Sequence, residues 1–397
     1  MNNFMSRFLL FLIVFDLAIP PVKFLGSSIF ALALLMAEYI FNPQRFKYIA
    51  HSIDYFKIPF LILYIIVLYS IFRVGIIEFT QFQFIGSLFK TVIILLTIVM
   101  YTGRYEKEKI INNVFYIFIL NSLICFLAGT FPELLKIVYI FKPDVTLTTW
   151  ITYRNAFLSG SGFFGIATAY SFALIALAIQ NKKRKISVSF LLQILILMIA
   201  GIIAARTTFI GILVAWSIFT YYNTKQSIII TSSVAVFILI VVFSGIFEGI
   251  EAYTNWAFEM FINLFNSGSL STSSTDHLGR MYFLPSSEWS FIVGDGLYTT
   301  NDGKYYMNTD AGYMRHLYFG GTPFLVLLFS FVFSFLLKSR NRNIVFLLLV
   351  VSLIFHIKGG FLLHNRVGFP LLLILCYYYG SRKNEIVKKS ISHPTSI

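Results

Sequence analysis

About twelve long apolar runs dominate this 397-residue chain, and they restrict it to folds that satisfy backbone polar groups without water. A run of roughly 20 apolar residues is long enough to cross a bilayer core as a helix. The runs fall at about 6–22, 26–42, 58–74, 83–101, 110–130, 161–180, 186–204, 207–222, 227–247, 319–337, 343–357 and 361–379. The expected fold class is therefore all-α: a polytopic membrane protein of about 12 transmembrane helices, forming a single integral membrane domain over 1–397. The chain is 58% hydrophobic and only 12% charged, about half the charge of a soluble domain. Its net charge of +14 would suit nucleic acid, but the basic residues sit in short loops beside the runs, where topology accounts for them; no nucleic-acid partner is expected.

The loops sort by charge. With the N-terminus inside, the cytoplasmic segments hold Arg7; Arg45, Lys47 and Lys57; Arg104, Lys107 and Lys109; Lys182, Lys183, Arg184 and Lys185; Lys225; Lys338, Arg340 and Arg342; and Arg382, Lys383, Lys388 and Lys389, which is 19 of the 31 basic residues. Most acids, among them Glu133, Asp144, Glu259, Asp276 and Asp310, fall on the opposite face. The positive-inside rule then places both termini in the cytoplasm and leaves two long outside segments, about 131–160 and 248–318. Arg7 leads into an apolar run with no small-x-small cleavage site that ends at Pro20-Pro21, so the first run reads as a retained span. Cys125 and Cys376 lie inside apolar runs and imply neither a disulfide nor a metal site. Within the large loop, Tyr253, Trp256, Ala257, Met260, Phe261, Leu264 and Phe265 share a helical face, suiting a helix on the membrane surface or packed on the bundle.

Four places carry candidate chemistry. Arg154 precedes a glycine-rich stretch that ends at Gly165; glycines let backbone approach a ligand, and a guanidinium can grip phosphate through two parallel hydrogen bonds. Arg206 occupies a tight outside turn, Ala205-Arg206-Thr207, on the face that usually avoids basic residues. The block 276–321 gathers Asp276, His277, Arg280, Asp310, Arg315 and His316 with turn glycines. The last outside turn carries Lys358 and His364-Asn365-Arg366, while Lys90 and His356 lie within runs, where ionisable groups are costly. Asp16 reads as a residue facing the bundle. His277 and His316 are too few and too scattered for zinc, and neither a P-loop nor a Gly-x-Ser-x-Gly motif occurs. Metal sites and cofactors are not expected.

On these residues the chain resembles the Wzy-type O-antigen polymerases. The resemblance rests on about twelve spans with two large outside loops and on an Arg-x10-Gly element in the first of them, from Arg154 to Gly165. It also rests on the Ala-Arg-Thr turn at Arg206, and on Arg280 followed by Gly294-x-Gly296, Thr309-Asp310-x-Gly312-Tyr313 and Gly320. Arg280 has Phe291 where the family often places a glycine, with Gly294 three residues later. O-antigen ligases carry a His-Asn pair near the position of Thr309-Asp310, so the pattern favours a polymerase over a ligase.

The resemblance implies a metal-independent glycosyltransferase with GT-C-like architecture in the bacterial inner membrane. It would transfer a growing glycan from undecaprenyl diphosphate onto a lipid-linked repeat unit at the periplasmic face, in lipopolysaccharide or related polysaccharide biosynthesis. Partners implied are the undecaprenyl-diphosphate-linked oligosaccharide, membrane lipid, a chain-length regulator and a flippase. Arg154, Gly165, Arg206, Arg315, Arg366 and His277 would bind diphosphate or glycan. Arg280 would act with a general base, for which Asp310 and His316 are the candidates with His277 behind them. Arginines suit that work because negative charge develops on the leaving diphosphate, and an acceptor hydroxyl benefits from a base. A lipid-linked oligosaccharide flippase or other transporter is the alternative from a different class, and a ligase is a third.

Overall fold

The computed structural model describes residues 3–20, 26–77, 82–142, 152–183, 187–243, 251–269 and 271–382. The described regular structure is helical, apart from a single bridge between Thr299 and Tyr305. The helices are α1 (Asn3–Phe15), α2 (Ser27–Phe41), α3 (Phe46–Ile77), α4 (Phe82–Arg104), α5 (Lys107–Thr130), α6 (Pro132–Ile140), α7 (Thr152–Asn155), α8 (Phe163–Asn181) and α9 (Val188–Ala204). They continue with α10 (Thr208–Tyr222), α11 (Thr224–Phe243), α12 (Glu251–Ser267), α13 (Ser273–Arg280), α14 (Glu288–Val293), α15 (Gly312–Leu337), α16 (Arg342–Lys358) and α17 (Gly368–Gly380). Each of the twelve apolar runs contains a helix. Among the described residues, five helices, α3, α4, α5, α8 and α15, are long and apolar enough to cross a membrane. The chain is therefore an all-helical, membrane-embedded protein.

The chain divides into two compact units. One comprises Met1–Asp16, Phe24–Val114 and Met281–Ile397; the other comprises Leu17–Lys23 and Phe115–Arg280.

In the first unit the expected span at 6–22 stops early. α1 ends at Phe15 because Asp16 takes a left-handed backbone conformation, φ 40°, and turns its carboxylate inward. Asp16 accepts hydrogen bonds from the Ser28 amide at 3.2 Å and the Ser28 hydroxyl at 2.7 Å, and pairs with Lys90 Nζ at 2.5 Å. Gly26, φ 74°, makes room, since a Cβ there would lie 2.2 Å from the Asp16 carboxylate. Asp16 thus does more than face the bundle: with Lys90 it forms a buried ion pair joining the end of α1, the start of α2 and α4. Asp16→Ala should lower stability by about 3–5 kcal/mol, because it strands a buried ammonium. The double variant Asp16→Asn/Lys90→Met should recover most of that loss, and thermal unfolding in detergent reads both.

α15 begins seven residues before the expected span at 319 and carries a kink. Gly321 leaves helical geometry at φ 64°, ψ −163°, and Pro323 has no N–H for the carbonyl of Phe319 four residues back. The carbonyls of Tyr318 and Phe319 accept instead from the amides of Asp295, at 2.6 Å, and Gly296, at 2.9 Å. The Tyr69 hydroxyl donates to the Gly320 carbonyl at 2.7 Å, and Arg73 donates to the Gly294 carbonyl at 2.6 Å. The Gly294-x-Gly296 and Gly320-Gly321 pairs are therefore a seam between backbones. The segment after α14 crosses the broken helix where a side chain would not fit: a Cβ on Gly294 would lie 2.5 Å from the Gly321 nitrogen.

The second unit is built around α8, which is buried along nearly its whole length. Small residues let its neighbours approach closely. A Cβ on Gly211 of α10 would lie 2.4 Å from Cα of Ser171, and one on Gly201 of α9 would lie 2.5 Å from Cγ2 of Thr208. Asn121 of α5 holds the glycine-rich loop by accepting from the Leu158 amide at 3.1 Å.

Candidate functional site

Two groups of chemically capable side chains stand out, one in each unit. In the second unit, Arg154 on the short α7 donates through Nε to the carbonyl of Ala204 at 3.0 Å. Its guanidinium lies 3.9 Å from the ring centre of Phe163 and 4.8 Å from that of Trp256. Arg206, in the turn between α9 and α10, lies 5.1 Å from the same indole and forms an ion pair with Glu259. Two guanidinium groups 52 residues apart in sequence thus meet on one tryptophan. Cation–π contact fixes the planes of both guanidinium groups.

α12 supplies both Trp256 and Glu259. Glu259 accepts from the Ser273 amide at 2.8 Å and the Ser273 hydroxyl at 3.2 Å at the start of α13. Burial raises the Glu259 carboxyl, but the bonds from Ser273 and Arg206 outweigh it and hold the carboxyl below its ordinary value. Asn263, a turn further on, donates to the Ser271 carbonyl at 2.9 Å. The docked stripe of α12 is therefore Trp256, Glu259 and Asn263, while Phe265, from the expected apolar face, is 85% exposed. Gly165 is buried in the first turn of α8, where its carbonyl accepts from Thr168 at 2.8 Å. His277 and Arg280 are exposed on α13.

In the first unit the early start of α15 puts Arg315 and His316 on its first turn, and they diverge. Arg315 lies 3.9 Å from the ring centre of Tyr298 and 4.0 Å from that of Tyr305, with Asp310 3.8 Å away. Burial pushes the Tyr298 and Tyr305 phenols up, with the Arg315 charge acting the other way. His316 turns instead toward α16 and is fully buried; its Nδ1 stands 3.0 Å from Nε2 of His356. Its ring also stacks on His364, with centres 5.4 Å apart, and the ring of Tyr298 lies 4.9 Å from that of His364. Asp310 and His316, the two candidate bases, are thus not brought together: Asp310 sits before the helix and faces Arg315.

The close meeting of α15 with α16 depends on Gly312, where a Cβ would lie 2.5 Å from the His356 carbonyl. The expected last span, 361–379, begins as helix only at Gly368. Asn365 holds the turn into α17 by accepting from the amides of Val367 at 3.0 Å and Gly368 at 2.8 Å. The loop before it, 359–367, positions His364 and the half-buried Arg366. Among the described residues, no group of His, Cys, Asp and Glu is arranged to hold a metal ion.

Trp256, Glu259, Tyr298 and Tyr305 are the participants that sequence reasoning missed, and it gave His356 and His364 little context. The i, i+3 spacing of Trp256 and Glu259 was available, but nothing local ties either to Arg206. Comparison with protein-family models, with characterised proteins and with solved structures found no match.

Proposed function

We propose that this chain is a glycan polymerase of the Wzy type, with twelve spans, GT-C-like architecture and both termini in the cytoplasm. It transfers a growing glycan from a polyprenyl diphosphate onto a lipid-linked repeat unit at the outer face of the bacterial inner membrane. The observation that carries the reading is the meeting of Arg154 and Arg206 on Trp256. Guanidinium groups held in fixed planes suit a diphosphate, and an indole face suits the apolar face of a sugar. Breaking the anomeric bond leaves its electron pair on the diphosphate, and preorganised cations stabilise that charge.

The test is purified protein supplied with lipid-linked repeat units and no nucleotide, with products resolved by length. Lengthening is the expected result, and it should persist in excess chelator. Movement of lipid-linked substrate across vesicles without lengthening would instead mark a transporter.

Topology is tested separately. Both native cysteines are buried, so a reporter cysteine reads cleanly. Ser286→Cys should be labelled by an impermeant maleimide from the periplasm, and Lys183→Cys only after the membrane is opened. The reverse pattern would overturn the assignment of sides.

A further inference from the structure

Three segments far apart in sequence close on one cleft of the first unit. The start of α3 brings His51 and Asp54, the link from α15 to α16 brings Lys338, Arg340 and Arg342, and the chain leaving α17 brings Arg382. The cleft holds about 530 Å³, within the roughly 300–1,000 Å³ usual for small-molecule sites.

Backbone contacts fix its walls. The Arg340 amide donates to the Gly380 carbonyl at 2.7 Å, and His51 Nε2 donates to the Arg382 carbonyl at 3.1 Å. Lys107 donates to the Ser381 carbonyl between them. Gly380 admits no side chain, since a Cβ there would lie 2.3 Å from the Tyr55 oxygen. Two of the cleft's hydroxyls are already committed: Tyr55 donates to the Cys376 carbonyl at 2.8 Å and Ser339 to that of Phe335 at 2.5 Å. The buried hydroxyl of Ser381 has no partner among the described residues.

The charge in the cleft does not balance. Asp54 is the one acid in its lining, and it pairs with Lys338. Among the described residues, the guanidinium groups of Arg340, Arg342 and Arg382 have neither an ion pair nor a hydrogen bond. Basic residues also mark the side of a loop, but that role needs only their number. Here the fold gathers them from separate stretches of chain around one volume.

We propose that this cleft binds a phosphate group, borne by a membrane-lipid headgroup or by a small soluble molecule. A planar guanidinium offers two parallel N–H groups to a pair of phosphate oxygens, and a phosphate has oxygens for more than one such fork. The volume leaves space for the alcohol that the phosphate esterifies. On the topology proposed above, the cleft lies at the cytoplasmic end, away from the site of transfer; phosphate binding rests on neither reading.

The test is thermal unfolding of full-length protein in neutral, phosphate-free detergent. One arm adds sodium phosphate against sodium chloride at matched ionic strength. The other adds short-chain phosphatidylglycerol against short-chain phosphatidylcholine. A saturable rise in Tm with phosphate marks a soluble ligand, and a rise with phosphatidylglycerol alone marks a headgroup. A rise with neither overturns the proposal.

Variants place the site. Arg340→Gln/Arg342→Gln/Arg382→Gln should raise the midpoint concentration about a hundredfold or more, since each guanidinium supplies charged hydrogen bonds. Arg340→Lys/Arg342→Lys/Arg382→Lys keeps every positive charge, so it should insert normally, yet bind at least about tenfold more weakly for want of the fork. Lys182→Gln/Lys183→Gln/Lys225→Gln removes the same charge from the second unit and should bind as the wild type does. Unchanged midpoints in either arginine variant, or equal weakening by the second-unit variant, would overturn the assignment to this cleft.

Discussion

Arg154→Ala and Arg206→Ala should each remove long-chain glycan while leaving the protein inserted and abundant. Losing one preorganised donor to a developing anion costs on the order of 3 kcal/mol, a rate drop of roughly a hundredfold. The two variants should differ structurally. Arg154 bonds to the Ala204 carbonyl through Nε, so its loss loosens the junction of α7 and α9. Arg206 pairs with Glu259, so its loss leaves a carboxylate held by Ser273 alone among the contacts described above. Arg206→Ala should therefore also release α12, read as faster proteolysis within 251–267. Lysine should rescue poorly at both positions, since an ammonium lacks the planar fork that stacks on Trp256 and presents parallel donors. Unchanged polymer length in both alanine variants would show that these arginines only fasten α12 and the loops around it.

Gly294→Ala and Gly321→Ala should fail earlier, at folding. Both glycines have φ between 60° and 80°, which a side chain disfavours. The new methyl would also meet backbone: the Gly321 nitrogen at 2.5 Å in one case and the Ile292 carbonyl oxygen at 2.3 Å in the other. Backbone cannot rotate aside as a side-chain tip can, so the seam must open. A loss of more than about 3 kcal/mol is expected, seen as low abundance and a lowered Tm in detergent. Gly303→Ala is the control. It shares the positive φ, but a Cβ there meets nothing within 4 Å, so it should cost about 1 kcal/mol or less. If Gly294→Ala were as stable as Gly303→Ala, the seam would not hold the kink.

Helical periodicity and apolar length made the helices legible, because in lipid those two properties leave little choice of fold. Their ends were less so. α1 stops at Asp16 because a partner 74 residues away, Lys90, draws the carboxylate inward, and no local pattern records that. α15 starts at Gly312 because half-buried Arg315 and buried His316 occupy its first turn, where polarity reads as loop. The candidate chemistry was legible as residue types: Arg154, Arg206, Arg315 and His316 all fall in the groups described. What the sequence could not reveal was pairing. Arg206 meets Glu259 53 residues on, and His316 meets His356 40 residues on. Such separations are decided by packing.

The broken helix α15 also bears on the order of synthesis. Its two freed carbonyls would be costly facing hydrocarbon, where no water can answer them. The amides that satisfy them, at Asp295 and Gly296, lie upstream and leave the ribosome first. A nascent α15 therefore moves into lipid with its strap already made. A circular permutant that placed 281–311 after α15 would keep every final contact, yet present the membrane with an unsatisfied helix for as long as the strap took to arrive.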